Sequence, residues 1–123
     1  KVHNVAPGPD GKVLSATFEL NGQEFIALNG GPMFAFTPAI SLFVKCETQA
    51  EVDYYWEKLT AGGAEEPCGW LKDKFGLSWQ IIPNALGELI GAPDREKAGR
   101  ALHAMFQMKK IDIAALHAAF DGQ

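Results

Sequence analysis

The sequence predicts an α+β fold in which strands come first and helices last. Three observations carry that prediction. From Val13 to Asn29 apolar and polar residues alternate on both sides of Asn21-Gly22, as in a half-buried hairpin. From Thr48 to Leu59 the apolar spacing becomes that of a helix. After Pro83 the helix-start signals at Asn84, Pro93-Asp94 and Asp112 follow with no further strand pattern between them.

Taken in order, the first ten residues carry Pro7, Gly8 and Pro9 and read as a loop. Val13 to Leu20 is a strand, with Leu14, Ala16, Phe18 and Leu20 on one face. Asn21-Gly22 suits a type I′ turn, whose two central residues need positive φ. Phe25 to Asn29 is the return strand, ended by Gly30-Gly31-Pro32. Met33 to Thr37 is a loop, and Ser41 to Cys46 is the next strand. Thr48 and Glu51 have the spacing of a capping box, in which each side chain bonds the other residue's backbone N–H. Val52, Tyr55, Trp56 and Leu59 form the predicted buried stripe of the helix, which Gly62-Gly63 stops.

Cys68 to Pro83 reads as a second hairpin, turning at Asp73 to Gly76 and holding two of the three tryptophans. Asn84 is expected to cap a short helix ended by Gly91. The next helix is expected to bury Ala98, Ala101, Leu102, Met105 and Phe106, and the last to bury Ile113, Leu116 and Phe120. Residues 1–123 are read as one domain, with residues 84–123 as its helical tail.

Composition narrows the function. The net charge is −4 and the only basic pair is Lys109-Lys110. Nucleic acid and anionic membranes select clustered Lys and Arg, so neither is an expected partner. No apolar run approaches the roughly 20 residues of a membrane-spanning helix. Two cysteines, Cys46 and Cys68, are too few for a disulfide framework. They are expected to be free thiols in a cytoplasmic protein.

The residues also limit the chemistry. There is no Gly-x-Ser-x-Gly and no Cys beside a His in a nucleophile pattern. His103 and His117 fall on the C-terminal helices, where boundary histidines are the ordinary reading. Neither Gly30-Gly31 nor Gly62-Gly63 stands between a strand and a helix, as a nucleotide-binding turn requires. Glu19, Glu24, Glu47 and Asp73 read as solvated surface charge rather than metal ligands.

The order of elements resembles the vicinal oxygen chelate (glyoxalase/bleomycin-resistance/dioxygenase) superfamily. Within it the chain resembles the PhnB-like subgroup, which carries the label 3-demethylubiquinone-9 3-methyltransferase. The matching text is Phe25-Ile-Ala-Leu-Asn-Gly-Gly-Pro, Ile40-Ser-Leu-Phe-Val, Glu51-Val-Asp-Tyr-Tyr-Trp, the whole of Cys68 to Pro83, and Gln107-Met-Lys-Lys-Ile-Asp-Ile. The resemblance implies paired βαβββ modules curled into a glyoxalase-like cup, with the first module incomplete here and a helical C-terminal extension. A complete first module would need a strand and a helix before Val13. The chain begins at Lys1 rather than a methionine, so the expectation is that the chain is a fragment or that a partner completes the cup. The open edges favour a homodimer.

The superfamily's metal-ligand positions fall on Ala27, Ser41 and Gln80, none of which offers a carboxylate or imidazole. No metal and no cofactor are therefore expected. With Gln80 facing the cup, strand parity sends Ser78 and Ile82 inward with it and Trp79 outward against a helix. The same parity sends Phe25, Ala27, Asn29, Ser41, Phe43 and Lys45 inward. The candidate lining is Asn29, Ser41, Phe43, Lys45, Ser78 and Gln80, and the expected partner is a small molecule of unknown identity. The alternatives are methyl transfer to 3-demethylubiquinone, as the subgroup label says, and a metal-dependent enzyme of the superfamily.

Overall fold

The computed structural model describes residues 1–123. The chain divides into two compact units, Lys1–Ala35 and Phe36–Gln123.

The first unit is a three-stranded antiparallel sheet of β1 (Val2–Pro7), β2 (Val13–Leu20) and β3 (Gln23–Leu28), in that order. Asn21 and Gly22 take φ of 48° and 82°, as a type I′ turn demands, and Leu20 pairs with Gln23 across it. Phe18 and Phe25 face each other across the ladder and stack at 5.6 Å.

The expected loop over the first ten residues is corrected: Val2–Pro7 is a strand paired with β2. Pro7 is the strand's last residue and Pro9 lies beyond it. Neither removes a donor from inside the ladder. Pro7, Gly8 and Pro9 mark the turn, closed by Gly8 N–H to the Lys12 carbonyl at 2.7 Å, and not the segment before it. A strand before Val13 is thus present, contrary to the expectation that none is visible. His3 lies on this strand and meets Glu19 at 3.0 Å.

The second unit is built on a four-stranded sheet in the order β4-β7-β6-β5. These are β4 (Ser41–Cys46), β5 (Ala64–Glu65), β6 (Trp70–Lys72) and β7 (Ser78–Pro83). β4 and β7 are parallel, which requires a crossover, and helix α1 (Gln49–Thr60) lies within it. Cys46, Val52, Trp56, Leu71 and Ile81 form the core between α1 and one face of the sheet, with Val44, Leu59 and Trp79 against it.

Thr48 caps α1 by accepting from the Glu51 N–H at 3.2 Å, but the return bond from the Glu51 side chain is not made. Tyr55, expected in the buried stripe, is exposed and lies edge-on to Tyr54. The buried line runs through Val52, Trp56 and Leu59, and one turn of that spacing leaves Tyr55 beside it. The second hairpin pairs from Trp70, not from Cys68, which sits in a 3₁₀ turn at φ 62°. Gly63 has no room for a side chain: a Cβ would collide with the Lys72 carbonyl oxygen.

The tail contributes α2 (Asn84–Ile90), α3 (Arg95–Phe106) and α4 (Ile113–Asp121). Leu86, Leu89, Ala101, Ile111 and Leu116 make a second core, with Ile82 of β7 against it. In α3 the expected stripe is narrower than predicted, since Phe106 is 57% exposed and Leu102 is also exposed. Asp94 and Asp112 cap α3 and α4 as expected, through Lys97 and Ala115 N–H. Asn84 does not cap α2: it is the first helical residue, and Pro83 holds the cap position.

Gln49 fastens the tail to α1. Its amide donates to the Ile111 carbonyl at 3.0 Å and accepts from Ile113 N–H at 2.8 Å. It also donates to Asp53, which Lys110 meets at 2.9 Å. The Gln49 bond first, and Lys110 second, hold the Asp53 carboxyl below its ordinary range. Cys46 and Cys68 are both free. No helix is long and apolar enough to cross a membrane.

Candidate functional site

The site is built on the face of the second sheet opposite α1. Register decides what stands there. Ser41 pairs with Ser78, Phe43 with Gln80 and Lys45 with Ile82, while Trp70 and Lys72 pair with Gln80 and Ser78 from the other side. Directly paired residues share a face, so Ser41, Phe43, Lys45, Ser78, Gln80, Ile82, Trp70 and Lys72 lie together. Trp79 and Ile81 project to the α1 side.

Two polar groups at the middle of this face engage each other. The Gln80 amide donates to Ser41 Oγ at 2.9 Å. Ser78 is fully buried, and its hydroxyl has no hydrogen-bond partner. Phe43 is 58% exposed although it sits in the middle of a strand. The open aromatic ring leaves contact area for a ligand, whereas the Ser78 hydroxyl is covered.

The hairpin that presents Gln80 is held by Asp73. Its carboxylate accepts from Phe75 and Leu77 N–H at 2.9 and 3.0 Å and from the Trp79 indole N–H at 2.9 Å. This Asx-type turn fixes the β6–β7 register, and with it the side of the sheet on which Gln80 emerges. Trp79 is therefore a structural indole: its ring packs toward α1 while its N–H secures the turn.

At the C-terminal end of β4 and β7 the face opens into a cleft of about 380 Å³. Phe43, Lys45, Ile82, Pro83, Asn84, Gly87 and Glu88 line it. The volume is within the range of small-molecule sites. Asn84 Oδ1 is buried without a hydrogen-bond partner. Lys45 and Glu88 both stand exposed, and neither takes part in an ion pair.

Of the sequence-predicted residues, the second unit brings together Ser41, Phe43, Lys45, Ser78 and Gln80. Asn29 belongs to the first unit, where it follows β3, and its amide donates to the Val13 carbonyl at 3.2 Å. Sequence reasoning missed Trp70 and Lys72, although the Asp73–Gly76 turn carries the signal. Counting outward from that turn places Trp70 opposite Gln80. It also missed Asn84, Gly87 and Glu88, for which no local signal exists. Only the direction in which α2 leaves β7 turns them toward the cleft.

Comparison with known proteins identifies the family of the chain. No curated protein matches the chain. A solved PhnB protein from Bacillus cereus, whose name carries the 3-demethylubiquinone-9 3-methyltransferase label, is 37% identical. The match has a TM-score of 0.59 and covers 67% of this chain and 78% of that one. Protein PA1353 from Pseudomonas aeruginosa shares the fold at 16% identity and a TM-score of 0.52, over 63% of this chain and 68% of that one. The family model described as 3-demethylubiquinone-9 3-methyltransferase matches residues 1–82. With its β4–β7 sheet, crossover helix and Asp73-held hairpin, the chain belongs to that PhnB-like family.

Proposed function

We propose that this protein binds a small molecule on the Ser41–Gln80 face of its second sheet, in a glyoxalase-like fold of the vicinal oxygen chelate kind that works there without a metal. The Gln80–Ser41 hydrogen bond beside the exposed Phe43 ring is the observation that carries this reading, and a cleft of about 380 Å³ opens next to it at Phe43 and Lys45. A few polar groups on an otherwise apolar wall orient a ligand, while the apolar surface supplies affinity.

The metal that the superfamily resemblance implies does not fit the residues present. Ala27 has no donor atom, Ser41 Oγ already accepts from the Gln80 amide nitrogen, Gln80 offers only a neutral amide oxygen, and no three His, Cys, Asp or Glu side chains lie close enough to hold an ion. Methyl transfer, which the family's description names, finds no support in the glycine turns. Gly62-Gly63 follows α1 and leads into β5, and Gly30-Gly31 follows β3 and leads into a loop. A nucleotide-type methyl donor would need such a turn at a helix start. The reading includes a homodimer, motivated by the unpaired edges of β3 and β4. It also includes a reducing compartment, motivated by the two free thiols.

Thermal-shift screening against metabolites and divalent metals tests the reading. A metabolite that raises Tm in the wild-type chain and loses its effect in Gln80→Ala is the expected outcome. Stabilisation by Ni²⁺ or Zn²⁺ that disappears in Gln80→Ala would sink the metal-free reading. A monomeric mass by light scattering at working concentration would remove the dimer.

A further inference from the structure

We infer that the cleft takes a small zwitterion with an apolar body, of the amino-acid class, and that the helical tail selects it. The inference rests on the small-molecule reading of the sheet face and adds the ligand's chemistry. The cleft has two walls of different origin. Phe43, Lys45 and Ile82 come from the segment that the family model matches, which ends at Ile82. Pro83, Asn84, Gly87 and Glu88 come from beyond it.

The two walls carry opposite charges. Lys45 brings an ammonium from β4 and Glu88 a carboxylate from α2, yet neither is spent in an ion pair. A ligand with a single charge satisfies one of them and is repelled by the other. A ligand with both charges meets a partner on each wall. Phe43, Ile82 and Pro83 supply the apolar contact for the body of the molecule.

Gly87 points the same way. It lies inside α2, where glycine weakens a helix by about 1 kcal/mol relative to alanine. Nothing in the packing asks for it: a Cβ there would meet no atom within 4 Å. Gly99 of α3 is similarly unconstrained but does not line the cleft. A helix residue that costs stability and leaves a binding wall open is the kind of local conflict that sites carry.

Titration of the full chain, followed by amide NMR shifts, with L-phenylalanine, 3-phenylpropionate and phenethylamine tests this. L-Phenylalanine is expected to bind with a millimolar or tighter Kd, and each single-charge analogue about tenfold more weakly. Gly87→Leu, which fills open space, is expected to abolish all three. Glu88→Gln, a surface change, is expected to erase the preference for phenylalanine over phenylpropionate. No binding of L-phenylalanine, or binding with no preference among the three, overturns the zwitterion assignment. Binding untouched by Gly87→Leu in a chain with wild-type amide dispersion overturns the cleft. If a metabolite from the thermal screen depends on Gln80 but not on Gly87, the zwitterion assignment falls and the sheet-face reading stands. If phenylalanine binding depends on Gly87 but not on Gln80, the cleft stands and the sheet-face reading falls.

Discussion

The two units of this chain solve the same problem by different means. In Lys1–Ala35 no residue is buried, and Val2, Val5, Val13, Leu14, Leu20, Ile26 and Leu28 are all exposed. That sheet is specified by ladder hydrogen bonds, by the Asn21-Gly22 turn and by a Phe18–Phe25 stack. In Phe36–Gln123 two buried clusters stand on either side of β7, through Ile81 and Ile82. The difference teaches where register comes from. In the first unit it is set locally, by a turn whose residues accept positive φ. In the second it is set by burial, because a slip of one residue would exchange the Gln80 face for the Ile81 face. Small three-stranded sheets gain little from burial alone, and this one relies on its turn and its ladder.

The largest effect that sharpens the contrast is a pair of matched truncations. Ile81→Ala, at a fully buried position, is expected to cost about 2–5 kcal/mol in chemical denaturation. Ile26→Ala, 68% exposed, is expected to change stability by no more than about 0.5 kcal/mol. A large loss from Ile26→Ala that grows with protein concentration would break the contrast, and would reveal that a second copy covers the first sheet.

A smaller effect is expected at the Asp73 turn. Asp73→Ala removes the acceptor for Phe75, Leu77 and Trp79. A loss of about 1–3 kcal/mol is expected, with a red-shifted tryptophan emission as one indole loses its partner. Unchanged stability would mean that burial alone holds the β6–β7 register, and the contrast between the units would be sharper still.

The smallest effect is electrostatic. The folded-state pKa of Asp53 is lowered, by the Gln49 bond first and by Lys110 second. A depressed carboxyl stabilises the fold above its unfolded pKa of about 3.9, and that contribution is lost as pH falls through the lower folded value. Because the pair is solvent-screened, Asp53→Asn is expected to cost less than about 1 kcal/mol at neutral pH. The difference from the wild-type chain should shrink as pH falls through the lowered folded-state pKa. A difference that persists in acid would assign the effect to packing of the Gln49 clamp instead.

Much of the architecture was readable in the chain. Asn21-Gly22, the Thr48 cap, the Asp73–Gly76 turn and the caps at Asp94 and Asp112 each carry their own local instruction, and each element formed where those residues stand. Where two local signals compete in the chain, the stronger one hides the other. Proline at Pro7 outweighed the β-branched Val2 and Val5, and the strand was missed because a strand's last residue tolerates proline. The Asn84 cap was misplaced by one residue because a proline before a helix can fill that position itself.

The site divides along the same line. Strand alternation written in the chain puts Ser41, Phe43 and Lys45 on one side of β4, and Ser78 and Gln80 on one side of β7. The period of a strand is two, whatever packs against it. The parallel pairing of β4 with β7, which brings Gln80 within 2.9 Å of Ser41 across 39 residues of chain, is visible only in the assembled fold. So is the direction of α2, which turns Asn84, Gly87 and Glu88 toward Lys45. Pairing across a long crossover and the exit angle of a helix depend on which apolar surfaces meet, and no local residue pattern contains that information.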